Sequence, residues 1–309
     1  GEVSRPSESA LPAVGALGGI GIPAVSFCLF DHGDDFAIRG WAVPTATDIA
    51  FAVGILALLG KRVPSGLKIF LLTLAVVDDL CAILIIALFY TDHLSMTSFL
   101  IAGFLLGVMW LLNYARVAKK SVFVFLTFLL WISVLNSGVH ATIAGVLAAF
   151  CIPTVDRNGN RMLDEFYHDL EGVTNFFILP IFAFVNAGVA LTGINPNQLL
   201  NSVSYGIFFG LFFGKQLGIF IFTFVFIKIL RLGSLPSGAT WTQLYGVCIL
   251  GGIGFTMSLF VNGLAYGNSD KFFFADKLSI LIASLASGLF GYLFLYFCSK
   301  AKEKKLSKN

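Results

Sequence analysis

Residues 67–90 read LKIFLLTLAVVDDLCAILIIALFY, and this stretch decides the class of fold. Its 24 residues are enough for a helix to cross the hydrocarbon core of a bilayer, which takes about 20. Apart from Lys68 near the start, its only charged residues are Asp78 and Asp79, adjacent and near the middle. The stretch therefore predicts a membrane-spanning helix with two carboxyl groups inside the bilayer.

The composition of the whole chain is that of an integral membrane protein. Hydrophobic residues make up 57% and charged residues 12% of the 309 residues, against about 25% charged in a soluble domain. The mean hydropathy is +0.89, and the net charge of +3 is too small to suggest nucleic acid as a partner. Five cysteines stand singly, without the Cys or Cys/His spacing of a disulfide framework or a metal cofactor.

Apolar runs of spanning length predict an all-α membrane protein with about ten transmembrane helices. The polar break at residues 136–138 divides one long apolar run into two predicted spans. The ten predicted spans are 10–30, 41–59, 67–90, 96–114, 121–135, 138–153, 173–192, 203–227, 246–266 and 278–298.

The basic residues predict the orientation of these spans. Sixteen of the 20 Lys and Arg residues lie in one alternating set of loops and termini, and the other set holds only Arg39, Lys271 and Lys277. Because Lys and Arg near helix ends stay in the cytoplasm, we expect both termini, including the basic tail 299–309, to be cytoplasmic.

Four charged residues lie inside predicted spans, namely Asp48, Asp78, Asp79 and Lys215. Each costs about 2.5–3.5 kcal/mol at a helix centre, which points to function. Asp78 and Asp79 differ by about 100° around a helix, so one can pair with Lys215 while the other lines a cavity. If these four side chains pair with one another, three carboxylates and one ammonium group still leave two negative charges. Protons or a metal cation must compensate these charges. Burial and a neighbouring negative charge favour a protonated carboxyl, and a hard cation competes for the same oxygens.

Two predicted spans are interrupted, at AVPTATDIAFAVG (42–54) and at ILGGIGFTMSLF (249–260). We expect a single transmembrane unit, 1–309, with a first repeat of three spans at 1–92, central spans at 93–202 and a second repeat at 203–298. Both interruptions then fall on the middle span of a repeat, which is typical of the ion site of a transporter. Glycine also occurs in membrane helices for packing alone, and this alternative applies mainly to the second interruption.

The two interrupted segments, together with LKIFLLTLAVVDDLCAILIIALFYT, NSGVHATIAGV, FFILPIFAFVNAGV and GKQLGI, resemble in order and spacing the NhaA-type sodium/proton antiporters. The resemblance implies inverted-topology repeats and two broken, crossing helices. It also implies that Asp78 and Asp79 bind the transported Na⁺ or Li⁺ and protons, with Lys215 as the partner of Asp78 or a proton carrier. The residues implied to support the crossing are Thr47, Asp48, Gly254 and Thr256.

The resemblance further implies electrogenic extrusion of sodium across a bacterial inner membrane, more protons entering than sodium ions leaving, with no cofactor. It also implies that transport is activated at alkaline pH through a charged cytoplasmic segment. In this sequence the segment RMLDEFYHDLEG (161–172) occupies that region. Glu165 and His168 are its candidate pH-sensing residues, because histidine titrates near neutral pH. The alternative is a solvated loop without a sensing role.

Members of the family have twelve spans, and this sequence begins where the connection after the second would lie. The first two spans and the connection between them are therefore expected to be missing. In the family this connection helps to form the homodimer, and charged residues at the end of the second span belong to the pH-sensing region, so an inactive fragment is one alternative function. A sodium-coupled symporter or channel is another. An intramembrane aspartyl protease also places two Asp residues in membrane spans, but its GxGD motif is absent here, so we expect a transporter and not an enzyme.

Overall fold

A computed structural model describes residues 6–31, 33–91, 95–188, 201–267, 270–272 and 274–306. Within these ranges all regular secondary structure is helical. The chain divides into two compact units, one formed by residues 1–82 and 183–309 and the other by residues 83–182.

The first unit begins with three helices, of which the third continues past its boundary. They are α1 (Pro6–Phe30), α2 (Ile49–Leu58) and α3 (Ser65–Phe89). Two 3₁₀ helices, Ala37–Thr45 and Gly60–Arg62, flank α2. The second unit continues with α4 (Met96–Tyr114), α5 (Lys120–Asn136), α6 (Thr142–Phe150) and α7 (Met162–Val173).

A π-helical segment, Thr174–Ile178, joins α7 to α8 (Leu179–Asn186). The described chain resumes with α9 (Ser202–Phe209), a π-helical turn at Gly210–Gly214, α10 (Lys215–Phe224) and a second π-helical turn at Val225–Ile229. The remaining helices are α11 (Trp241–Leu250), α12 (Phe255–Tyr266), the 3₁₀ helix Asp270–Phe272 and α13 (Ala275–Leu306).

Eight of the ten predicted spans correspond to helices of spanning length and hydropathy, in the part of the chain that is described. Seven are single candidate spans, and the eighth is the pair α11 and α12, bent by 45°. The predicted spans 121–135 and 138–153 correspond to shorter helices, α5 with 17 residues and α6 with 9. The span predicted at 173–192 begins earlier, at Met162, and its last four residues lie outside the described ranges.

Both predicted interruptions are breaks in the helices, and local chemistry explains each. Ala46 and Asp48 have extended backbones, and the Asp48 carboxylate caps α2 by accepting a hydrogen bond from the Phe51 amide (3.1 Å). The second break follows a run of glycines, which favour helix ends: α11 ends before Gly251 and α12 begins after Gly254. The two breaks meet, because the Asp48 amide donates to the Ile253 carbonyl oxygen at 2.6 Å.

Helix α1 packs against α10 with its backbone in direct contact. A Cβ atom added to Gly18 would lie 2.2 Å from the carbonyl oxygen of Gly218, and one added to Gly218 would lie 2.1 Å from that of Gly18. Small residues allow this approach in membrane helices, where close packing replaces the hydrophobic effect. The contact holds α1 over Lys215, whose Cδ lies 3.6 Å from the Cβ position of Gly19.

The second unit has its own apolar core. It is formed where α4, α5 and α6 pack together with the start of α7, and its most buried side chains are Met109, Phe123, Leu130, Ala144 and Met162.

Candidate ion-binding site

The centre of the site is a fully buried ion pair between Lys215 at the start of α10 and Asp78 in the middle of α3. Lys215 Nζ contacts Asp78 Oδ2, and neither side chain is exposed. The Thr47 hydroxyl lies 2.7 Å from the same carboxylate oxygen and 3.0 Å from the carbonyl oxygen of Gly251. Since it has one hydrogen, it can donate to only one of these acceptors at a time, and it stands between the carboxylate and the second helix break.

Two carboxylate oxygens beside this ion pair have no partner among the described residues. They are Asp78 Oδ1 and Asp79 Oδ1, and both are buried. Asp79 is the next residue along α3, so its side chain is directed about 100° away from that of Asp78. No described Lys, Arg or His side chain lies within 4 Å of Asp79. A buried carboxylate without a donor is costly, so these oxygens can accept a proton or a cation.

Asp48 lies at the crossing of the two breaks, and both of its carboxylate oxygens are used. Oδ1 accepts from the Phe51 amide in the first turn of α2, and Oδ2 accepts from the amide and the hydroxyl of Thr256 in the first turn of α12. The N-terminus of each helix carries about half a positive charge, so one carboxylate offsets two helix ends. Asp48 is therefore compensated without a cationic side chain.

Gly254 and Ser258 complete the crossing. A Cβ atom on Gly254 would lie 2.1 Å from Ser258 Oγ and 2.8 Å from Leu211 Cδ2, so only glycine fits without rearrangement. Ser258 Oγ donates to the carbonyl oxygen of Val43 at 2.8 Å, which ties α12 to the chain ahead of the first break. Ser258 was not among the site residues expected from the sequence. Its presence in the quoted segment GFTMS was the only signal, because the acceptor is a main-chain atom 215 residues away.

The structure changes the charge count made from the sequence. Lys215 compensates Asp78 and two helix ends compensate Asp48, so the deficit of two negative charges falls to one. Asp79 is the carboxylate that no described positive group compensates. In the described residues no group of three or more His, Cys, Asp and Glu side chains converges. A cation at Asp79 would therefore take further ligands from hydroxyl, main-chain or water oxygens, which suit a hard ion.

Glu165 and His168, the candidate pH-sensing residues, lie in the second unit. The segment interpreted as a possible solvated loop is instead helix α7, so the prediction of a loop is wrong. Lys120, the first residue of α5, has its Nζ 2.8 Å from both Glu165 Oε2 and Asp169 Oδ2 on α7. His168 is exposed, and its Nδ1 lies 3.9 Å from Glu171 Oε2. From the sequence, Lys120 was only one of the sixteen basic residues that predict the orientation, and its contact with α7 was not predicted.

Comparisons with known proteins agree with the geometry of the first unit. The family model described as Na⁺/H⁺ antiporter 1 matches residues 1–295. The chain is 62% identical over 309 residues to the Na⁺/H⁺ antiporter NhaA 2 of Campylobacter fetus subsp. fetus (strain 82-40), covering all of this chain and 78% of that protein. It is 56% identical over 305 residues to the Na⁺/H⁺ antiporter NhaA of Campylobacter curvus (strain 525.92), covering 98% of this chain and 76% of that protein. With its helices of spanning length, the protein is a multi-pass membrane protein that belongs to the Na⁺/H⁺ antiporter 1 family.

Proposed function

We propose that the protein exchanges sodium ions for protons at Asp78 and Asp79, by alternating access around the crossing of α2 and α12. Its family is one of Na⁺/H⁺ antiporters, so it is a transporter without a cofactor and not an enzyme. The observation that carries the site assignment is the uncompensated, largely buried carboxylate of Asp79 beside the Lys215–Asp78 ion pair.

The geometry supports competition between one cation and protons. A proton on Asp79 removes the uncompensated charge, and a sodium ion removes it equally well. A sodium ion that also takes the free Asp78 oxygen weakens the hold of Asp78 on Lys215, which can then release its proton. One Na⁺ would displace two protons in this scheme, so each cycle would move net charge and respond to the membrane potential.

The crossing supplies the moving part of the proposed mechanism. Thr47 contacts both Asp78 and the Gly251 carbonyl, so a change at the carboxylate reaches the break between α11 and α12 directly. Asp48, Thr256 and Gly254 keep the two helix ends together while those ends tilt. Binding sites at broken helices in matched repeats are typical of secondary transporters.

The proposed membrane location is supported by the family, and the proposed orientation by the basic loops. We place the protein in a bacterial inner membrane, surrounded by lipid, with both described ends of the chain in the cytoplasm. Lithium, a hard monovalent cation like sodium, is proposed as a second transported ion. A homodimer stays an expectation from the family resemblance.

Exchange is tested with the purified protein in proteoliposomes that carry a pH gradient. We expect external NaCl or LiCl, but not choline chloride, to dissipate the gradient reported by a pH-sensitive dye. A potential-sensitive dye should respond in the same experiment, because the proposed exchange moves charge. Sodium uptake without opposing proton movement would contradict antiport and indicate a symporter or channel.

We also propose that the cluster of Lys120, Glu165 and Asp169, with His168 beside it, adjusts the pH at which transport begins. Glu165→Gln removes a negative charge and so lowers the proton affinity of neighbouring groups, and the activity profile should move to lower pH. The shift should be about 0.5 pH unit, since a charge about 10 Å away at an effective dielectric constant of about 50 changes a protonation free energy by about 0.7 kcal/mol.

Two variants complete this measurement of rate against pH. His168→Gln removes the imidazole beside Glu171 and should flatten the rise of activity with pH. Asp164→Asn is the control, because Asp164 lies on the same helix but pairs with Arg161 (3.2 Å) instead of Lys120. Profiles that coincide for all three variants and the wild type would remove the cluster from pH control.

A further inference from the structure

A buried carboxyl group at the end of α1 has no role in the site described above. Asp31 follows the last residue of α1 and is only 2% exposed. Neither of its oxygens has a hydrogen-bond donor in full hydrogen-bonding geometry among the described residues, although the Ser202 hydroxyl is close enough to stabilise the charged form in part. Asp31 Oδ2 and the ring of the fully buried Phe27 both lie against the bare backbone of Gly206 on α9, where an added Cβ atom would lie 3.1 Å from Asp31 Oδ2 and 2.8 Å from Phe27 Cδ2.

The charged groups at this end of the unit do not neutralise Asp31. No described Lys, Arg or His lies within 4 Å of its carboxylate. Lys271 pairs with Asp34 (2.7 Å), and Arg39 of the 3₁₀ helix lies over the Phe36 ring, 5.8 Å from its centroid. Among the residues that the structure describes, the other titratable groups close by include Cys28 on α1 and Tyr205 on α9, and neither carries positive charge. The C-terminal end of α1 adds an unfavourable negative potential.

We infer that Asp31 holds a proton at neutral pH and is a second proton-binding site, separate from Asp78 and Asp79. A cation would need several oxygen ligands, whereas in the described residues the Ser202 hydroxyl, one turn from Gly206 on α9, is the neutral oxygen that acts on Asp31, and no group of three or more His, Cys, Asp and Glu converges. A single proton satisfies the carboxyl group without further ligands. Burial raises the pKa of Asp31, the nearby Ser202 hydroxyl offsets part of the rise, and the charge of Asp34 adds to it.

This proton stabilises the contact that holds α1 in place. Nine residues of helix separate Gly206 from Lys215, which is about 14 Å along the axis, so Asp31 does not share the ion site. Its ionisation would put an unpaired charge between α1 and α9, at one end of the helix that packs on Lys215. We therefore expect proton binding at Asp31 to affect stability and not the stoichiometry of exchange.

The sign of the stability effect distinguishes a protonated carboxyl from an ordinary buried polar group. Above the ordinary pKa of aspartate and up to the raised pKa, the folded protein keeps the proton that the unfolded chain has lost, so stability falls as pH rises through this window. Asp31→Asn mimics the neutral form and lacks this loss. In detergent, its melting temperature should equal that of the wild type near pH 4 and exceed it by about 3 °C for each further pH unit within the window.

Asp34→Asn is the matched control, because it removes an exposed carboxylate three residues away. When Asp31→Asn is added to Asp34→Asn, it should raise the melting temperature in the same pH range as it does in the wild type. A second readout is the infrared band of a protonated carboxyl group, part of which should be absent in Asp31→Asn at neutral pH. An Asp31→Asn variant that melts below the wild type at every pH would overturn the inference, and so would an unchanged infrared band. Sodium that raises the melting temperature of the wild type but not of Asp31→Asn would mean that a cation occupies the site instead.

Discussion

Replacing Asp78 and Asp79 together by asparagine is expected to reduce sodium-dependent proton flux at least about 100-fold. The double variant removes both carboxylates that are assigned to the ion site, Asp78 beside Lys215 and the uncompensated Asp79. Each lost charged contact is worth about 1.5–3 kcal/mol, and 1.4 kcal/mol corresponds to a factor of ten. Flux is measured in proteoliposomes with a pH-sensitive dye, and Asp34→Asn, which removes an exposed carboxylate, should transport normally.

The two single variants separate the roles of the carboxylates. Asp79→Asn removes the uncompensated charge, so it should abolish exchange and leave the melting temperature equal or higher. Asp78→Asn leaves Lys215 buried without its partner, so it should lower the melting temperature as well. Sodium-dependent flux that survives in Asp79→Asn would mean that the ion binds elsewhere.

Lys215→Ala is expected to have the largest effect on stability. Removing one member of a buried ion pair typically costs about 3–5 kcal/mol, because the other charge stays buried without compensation. Here that charge is Asp78, whose second oxygen is already without a partner. Thermal melts in detergent measure the loss, and Lys215→Arg, which keeps the positive charge, should retain most of the stability and transport.

The combination Lys215→Ala with Asp78→Asn tests whether the loss comes from the unpaired charge. Because the double variant contains neither charge, it should recover part of the stability that Lys215→Ala loses, which a double-mutant cycle quantifies. Additive losses would contradict the ion-pair interpretation. A Lys215→Ala protein that folds normally and exchanges ions without a response from the potential-sensitive dye would assign Lys215 to carrying a proton instead of bracing Asp78.

Much of the fold followed from composition and from single residues. The apolar runs predicted eight helices that are long enough to span a membrane, and Asp48 after Pro44 and the glycines at 251–254 predicted the two breaks. In each case the prediction depended on neighbouring residues in the sequence and not on contacts between distant segments. The adjacent pair Asp78 and Asp79 likewise predicted that only one could meet Lys215, since the helix directs them about 100° apart.

What the sequence could not predict depends on contacts between distant segments. Lys215 lies 137 residues from Asp78, and four intramembrane charges allow several pairings. The place of Asp48 at the crossing was expected only from the family resemblance, because helix ends that meet at a crossing leave no mark in composition. The charged start of α7 was interpreted as a loop because hydropathy is low there, although its acidic residues suit the first turn of a helix.

The contact of Gly18 with Gly218 has a mechanical consequence. Where the backbones of two helices touch, no side chains lie between them to repack as the helices slide. We therefore expect α1 and α10 to move together as one rigid unit. Lys215 belongs to this rigid unit, whereas Thr47 and Asp48 lie at the break before α2, where the two broken segments cross. A conformational change that opens the site to the other side of the membrane would therefore move the crossing segments relative to Lys215, while α1 stays packed beside Lys215.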